Sequence, residues 1–544
     1  MNIRPLFIAL ACGAAALCGC KSDHPAAPAA PAVQLKPIPD AEMIAIVHWL
    51  GKRQIEADTN SAGLMSIWNQ PESVALQNQT LDKLSHAPWL LTLKNSGNRD
   101  ASAELRSLLA EMVQSEVYLE IRQATNEPAQ IAFAIRIDDA HAGAWQSNLA
   151  SVVEAVSGLA TVRGTETPGE LALTKHHEPK HLELVRVNDW NIFGAAADTN
   201  DLLLRMAARI HAAGSPLAPD FSKCWLTVAA DLGRLRDVTR YASNLPATLP
   251  RISFDAVGDG KKVWTYGALT FQHPLNAQLE PWNIPASLID PHLISFTALR
   301  GFGAWLEASA AWKNFHAGAA PNQACFWSLQ GLPMQTYFTV PSADASNAVS
   351  TLSDWVINNN ALLANGSDLV EFQRSSTYNG LEWKGLPYLS PFLQSLDTTN
   401  GNYIFGGLLP HFPGEELPLA TLKELLSQTN LVYHGWESTS VRCEQWIYIA
   451  QFMRFVSKHA QIPDKSVSME WLKAVAPKLG TSVTQVALSA PDQLSFNRKS
   501  NIGLTAIELQ FLADWLESPR FPVGLNSLLS KPQDEQTQPA SMKN

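Results

Sequence analysis

The residues with the most obvious capacity for chemistry are histidines. The stretch KHHEPKH, Lys175 to His181, holds His176, His177 and His181, and imidazole is a ligand for zinc, copper, iron and nickel. Three rings this close in sequence can approach one ion. Against that, the stretch contains Pro179 and lies between two strand-like runs, so it reads as a hairpin tip, where polar residues collect for backbone reasons. Adjacent strand residues also point to opposite faces, which separates His176 from His177. The three histidines are therefore weak metal candidates, and neither a metal nor any other cofactor is expected. Motifs that carry a catalytic rationale are missing. There is no G-x-S-x-G, no H-E-x-x-H and no phosphate-binding G-x-x-x-x-G-K-[ST], and GFGAWLEA from Gly301 lacks the last glycine of a dinucleotide fingerprint. Glu415 and Glu416 sit in a Pro/Gly loop and read as solvated charge. A triad assembled from distant residues leaves no such trace, so catalytic residues are expected to be none without an enzyme being excluded.

Cysteines raise the second question. Cys18 and Cys20 stand two apart in LCGCKSD, directly after the apolar run Leu6 to Leu17. Arg4 and the amino terminus supply a positive end, and the run has the length of a signal-peptide core but not of a membrane span. Leu17, Gly19 and Cys20 then resemble the lipobox of bacterial lipoproteins, with Cys18 in the small-residue position. The resemblance implies cleavage before Cys20, a thioether-linked diacylglycerol on Cys20 and an acyl group on the new amino terminus. Several acyl chains anchor stably, since each buried CH₂ contributes about 0.8 kcal/mol. Lys21 stands where an inner-membrane-retained lipoprotein carries aspartate, which implies the outer membrane, facing the periplasm. An ordinary signal peptide cut elsewhere is the alternative. Residues 1–19 are thus the expected signal and 20–37 a Pro/Ala-rich tether, able to hold a domain up to roughly 50 Å from the bilayer at about 3.1 Å per residue. Cys224, Cys325 and Cys443 remain in the body. Their wide spacing fits no zinc pattern and at most one disulfide, so three buried thiols are expected.

The body must position whatever chemistry exists. The chain has 544 residues, 46% hydrophobic, with a net charge of −10. The acidic balance and the lack of a basic run argue against nucleic acid as a partner. Ser115 to Ile137 reads as a hairpin: Val117, Leu119 and Ile121 alternate, TNEP interrupts, and Ile131, Phe133, Ile135 and Ile137 alternate again. A helix capped by Asp138 or Asp139 follows, with Trp145, Leu149, Val152 and Val156 on one face. The same order recurs later. Ala324 to Ser342 reads as strand, turn, strand, and a helix places Ala345, Val349, Leu352 and Val356 on one face. Asn379-Gly380 reads as a hairpin turn. NIFGAA from Asn191 corresponds to YIFGGL from Tyr403, and WLTVAADLGRLRDV from Trp225 to LVYHGWESTSVRCEQW from Leu431. Elements recurring in one order at a similar offset predict an internal duplication.

The expected architecture is α+β: antiparallel sheets with helices packed on one face, built from repeated strand–strand–helix units. A first half spans 38–285, a second 286–529, and 530–544 is a polar tail. A lipobox, a tether and repeated units of this kind resemble the large uncharacterised envelope lipoproteins of some bacteria, several of them families of domains of unknown function. That resemblance covers roughly 38–529 and implies no activity and no site residues. Of the seventeen tryptophans, Trp145, Trp355 and Trp515 read as core, while Trp282 and Trp383 lie near loops and read as candidates for exposed contacts. The reading that follows is a lipoprotein anchored through acylated Cys20, binding or scaffolding an unknown envelope partner without catalysis. An envelope hydrolase with an unrecognised site and a carrier of a small apolar ligand remain open beside it.

Overall fold

A computed structural model describes residues 43–525 apart from 92–99, 125–126, 158–161, 164–170, 174–180, 197–200, 218–223, 239–247, 310–311, 314–318, 331–334, 360–370, 386–388, 400, 412–421, 423–425, 457–464, 520 and 523. The signal segment, Cys20, the tether, His176, His177, Glu415, Glu416 and the tail 530–544 lie outside the described residues. The chain is α+β, its strands pair antiparallel, and it divides into two compact units. One comprises Met1–Gln272, Ala450–Lys478 and Lys499–Asn544, the other His273–Ile449 and Leu479–Arg498. The division falls ahead of the expected 285/286, because Trp282, Ile284, Ala286 and Ile289 pack into the core of the second unit.

In the first unit, β1 (Met43–Trp49) is followed by α1 (Lys52–Ala57), α2 (Ala62–Trp68), α3 (Pro71–Leu91) and α4 (Ser102–Gln114). The hairpin β2 (Val117–Arg122) and β3 (Gln130–Arg136) comes next, with Leu119 opposite Phe133. Then come α5 (Asp139–Ser157), β4 (Val162–Arg163), β5 (Leu171–Leu173), β6 (His181–Val187), β7 (Trp190–Ala196) and α6 (Asp201–Ala213). The series closes with β8 (Leu226–Asp231), α7 (Leu232–Val238), β9 (Arg251–Gly258) and β10 (Val263–Thr270). Across the sheet the strands lie in the order β10-β9-β8-β1-β2-β3-β7-β6-β5-β4.

Helices cover both faces of this sheet, where one face was expected. On one side Leu202, Leu203, Met206 and Ile210 of α6 pack against Ala132, Ala134 and Ile192. On the other, Trp145 of α5 stacks on Phe133 with ring centroids 6.3 Å apart, and Trp49 Nε1 donates to the Val113 carbonyl at the end of α4. The α5 stripe is as the periodicity predicts: Trp145, Leu149, Val152 and Val156 are all buried. Asp138 caps this helix, its carboxylate accepting from the His141 backbone N–H at 3.0 Å.

The second unit runs β11 (Leu293–Arg300), α8 (Gly303–Ala308), β12 (Gln323–Leu329), β13 (Thr336–Pro341) and α9 (Ala345–Asn358). It continues with β14 (Glu371–Arg374), β15 (Gly380–Lys384), β16 (Phe392–Thr398), β17 (Gly401–Gly407), β18 (Leu431–Ser438) and α10 (Thr439–Val456), within which the division between units falls. After α11 (Val467–Val475), a first-unit helix, come β19 (Thr481–Ala490) and β20 (Gln493–Ser500), and then α12 (Ala506–Glu517), again in the first unit. The strand order is β20-β19-β18-β11-β12-β13-β17-β16-β15-β14. Raising every index of the first unit by ten reproduces this order. The segments compared in sequence, Asn191 with Tyr403 and Trp225 with Leu431, fall on β7 with β17 and at β8 with β18.

Asn379-Gly380 is not a two-residue turn. Arg374 already pairs with Leu381, so 375–379 form the loop and Gly380 is the first residue of β15. Glycine is required there for a different reason: a Cβ would collide with the Leu393 carbonyl and the Tyr378 ring.

Candidate binding face

Two regions bring reactive or recognising side chains together. The first is a polar belt inside the first unit. Strand alternation puts Glu116, Tyr118, Glu120 and Arg122 on the α6 side of β2, a side that is covered and not solvated. Glu120 is fully buried and accepts from Tyr118 Oη at 3.0 Å, from Arg122 Nε at 2.6 Å and from Arg209 Nη2 at 2.5 Å. His48 lies opposite both Tyr118 and Thr227 in register. It is also fully buried, and its Nε2 is 3.1 Å from Glu116 Oε1. Gln54 donates to the other Glu116 oxygen at 3.0 Å, and Arg136 stands 3.5 Å from it. Burial raises the Glu116 carboxyl, but the hydrogen bonds from His48 and Gln54 and the charges of His48 and Arg136 outweigh it and hold the group below the usual carboxylate range. Thr227 donates to Asp255 at 2.6 Å. Such pairing is what buried charge requires in order to be tolerated, and the belt reads as a polar core.

The thiols have no more reactive a setting. Cys224, Cys325 and Cys443 are buried and in no disulfide, as expected. Burial pushes the Cys325 thiol up, and burial with the Glu437 and Glu444 charges pushes Cys443 up to about 12, far from the thiolate a nucleophile needs. Among the described residues no group of three or more His, Cys, Asp and Glu side chains is arranged to hold a metal. Of the three weak candidates only His181 has a described backbone, at the start of β6 opposite Ala196.

The second region is one face of the second unit. Phe326 is 41% exposed in the middle of β12, whose other residues are all buried. It pairs across the strands with Thr297 on one side and Phe338 on the other, and Phe338 with Gly406. The Phe326 and Phe338 rings lie 6.1 Å apart at 32°. Gly406 has no room for a Cβ because the Phe338 ring lies over it. Leu381 and Leu393 extend this row, with Leu393 packed beneath α9. Beside Leu381 on β15, Trp383 is 37% exposed, its ring 4.9 Å from that of Phe372. In the next row Ser328 and Thr336 share a hydrogen bond of 2.9 Å, and Arg442 of α10 donates to Ser328 at 3.0 Å. The face therefore carries aromatic rings beside a hydroxyl pair held by Arg442.

In the first unit Val47, Leu119, Phe133 and Phe193 form a row across four strands. Leu119, Phe133 and Phe193 are buried there. Between β1 and β2 the chain inserts α1 to α4.

The tryptophan expectations divide. Trp145 is buried, Trp355 and Trp515 are half-buried, and Trp383 is exposed. Trp282 is not free for contacts. It packs on the second core, and the Arg300 guanidinium sits 4.3 Å from its ring centroid. Trp305, in α8, is 74% exposed. Its helix-like surroundings gave no sign of this, because a helix this short has no stripe to read.

A shallow cavity of about 360 Å³ lies between Pro274 to Ala277 and Leu488 to Pro491, where Asn276 takes a left-handed φ of 50°. No helix is long and apolar enough to cross a membrane among the described residues. No family model, no curated protein and no solved structure matches the chain.

Proposed function

We propose that the chain is a lipid-anchored envelope protein whose body is a duplicated α+β unit, and whose second copy binds a partner on its aromatic sheet face. The reading is carried by one observation: Phe326 stands exposed at the centre of a strand that is otherwise buried. Isolated exposed apolar residues are ordinary. A large ring held at mid-sheet, beside Phe338 and flanked by α9, is an arrangement that aromatic recognition uses, because such rings give contact area at low entropy cost. The common strand order supports the duplication. It also supports a division of labour, since the copy that fills this face with its own residues is a scaffold and the copy that does not is free to bind. The partner belongs to the envelope, because the lipobox-like Leu17, Gly19 and Cys20 imply anchoring there. No catalytic residue is assigned, and the unrecognised-hydrolase reading gains nothing from the polar belt. The shallow cavity beside Asn276 leaves a small-ligand carrier as the weaker alternative.

The anchor and the face are tested separately. Mass spectrometry of the mature amino terminus should find Cys20 bearing diacylglycerol; an unmodified terminus at another residue rejects the anchor. Phe326→Asp should weaken partner association by roughly tenfold or more, the loss of an anchoring ring in a hot spot being worth at least about 1.4 kcal/mol. In-cell photo-crosslinking from position 326 should give a discrete adduct that the same probe at position 305 does not. Stability should move little, because the ring is already partly in water. Equal crosslinking from both positions, or an unaffected partner, removes the face from consideration.

A further inference from the structure

The second unit holds a buried histidine of a different kind from His48. His434 lies in the middle of β18 and is 2% exposed, and neither ring nitrogen has a hydrogen-bond partner. Its cross-strand neighbours are Ala298 and Gln485, and its ring centroid is 6.4 Å from that of Phe296. That face of the sheet is the aromatic core of the unit, where Trp327, Tyr337 and Phe405 meet. The charged or titratable groups on the same layer, among the described residues, are Arg300 on β11, Cys325 on β12, Tyr337 on β13, Tyr403 on β17 and His411 after β17. Arg300 is a cation held by the carbonyls of Glu280, Thr429 and Leu431, and His411 is tied to the Leu288 carbonyl. On β19 the facing residue is the uncharged Gln485. Glu437 of β18 alternates to the opposite face from His434. Among the described residues, the groups that face the ring from these strands thus include a fixed cation and no carboxylate, whereas His48 has Glu116 at 3.1 Å.

We propose that His434 is an acid-sensitive latch of the second unit: protonating it places an unpaired cation in the aromatic core and loosens β18 and its neighbours, while the first unit, whose buried histidine has a carboxylate to receive the charge, stays closed. The sign follows from linkage. Burial holds the imidazole down at about 4, against about 6.5 in an unfolded chain. The folded unit therefore binds its proton later than the unfolded one. Its contribution to stability is fully present above about pH 6.5 and drains away as pH falls toward 4. An envelope protein that meets external acid would open one unit and not the other.

Hydrogen-exchange mass spectrometry of the full chain tests this, with protection factors corrected for the pH dependence of intrinsic exchange. Between pH 7.5 and 4.5, protection in β11, β18 and β19 should fall roughly 100-fold, the factor that this pKa difference gives by linkage. Protection in β1, β2 and β3 should hold. His434→Leu, which cannot take up a proton, should keep β18 protected at pH 4.5, while His48→Gln should leave the acid response of β18 intact. If His434→Leu does not fold at pH 7.5, His434→Gln makes the same test with a polar, non-titrating side chain. An acid response that persists in either folded His434 variant, or a wild-type β18 that shows none, overturns the proposal.

Discussion

Replacing Arg122 and Arg209 together with alanine should cost the first unit about 3–5 kcal/mol, the usual penalty for stranding a buried charge. Replacing their shared partner, Glu120→Gln, should cost only about 1–2 kcal/mol. The asymmetry follows from where each group sits. The Glu120 side chain has no solvent exposure, whereas those of Arg122 and Arg209 are 19% and 39% exposed. Without Glu120, both guanidinium groups can turn to water. Without the arginines, the carboxylate cannot leave the sheet, and the Tyr118 hydroxyl is its one remaining neutral donor. Arg209 also lies 5.9 Å from the Tyr118 ring centroid, so its loss removes packing as well as charge. Adding Glu120→Leu to the double variant should recover most of the loss, because an apolar residue at a covered position needs no partner. Urea denaturation of the four proteins reads this directly. Equal costs for the two changes, or no recovery in the triple variant, would show that the belt is more solvated than its burial implies.

That belt also marks where sequence reasoning stops. VYLEIR alternates cleanly, and alternation predicts Val117, Leu119 and Ile121 inside with Tyr118, Glu120 and Arg122 in water. The first half is right. The second fails because α6, eighty residues downstream by chain order, returns to cover the polar face, and periodicity within one strand carries no information about that. The elements with strong local signals were legible: the β2–β3 hairpin, the four-residue stripe of α5 and the Asp138 cap. The segments compared in sequence fall on β7 with β17 and at β8 with β18. Gly380 shows the limit at the level of one residue. Asn-Gly is a turn signal, but here glycine answers to the Leu393 carbonyl on the neighbouring strand, a contact visible only in three dimensions. The candidate face was half legible. Trp383 was singled out, whereas Phe326 looked like any strand aromatic.

The tryptophans give the sharpest test of how far composition can be turned into energy. Trp327→Ala should destabilise the second unit by about 3–5 kcal/mol, as for other buried aromatic truncations. Trp305→Ala should change stability by less than about 0.5 kcal/mol. Trp327 is 1% exposed, stacks on Phe405 at 6.1 Å and 6°, and meets Tyr337 at 5.8 Å. Its removal opens a cavity among packed rings, and cavity volume adds to the lost transfer energy. Trp305 leaves water largely undisturbed. A third variant separates shape from polarity. Trp327 Nε1 is buried without an acceptor, so Trp327→Phe removes an unsatisfied donor along with part of the ring. It should therefore cost clearly less than Trp327→Ala, by more than ring volume alone predicts, because the missing hydrogen bond no longer counts against the folded state. Thermal or urea unfolding of the full chain, followed by aromatic circular dichroism, ranks the three. If Trp327→Phe is as damaging as Trp327→Ala, the indole N–H has a partner in solution, and the core of the second unit is more polar than its aromatic packing suggests.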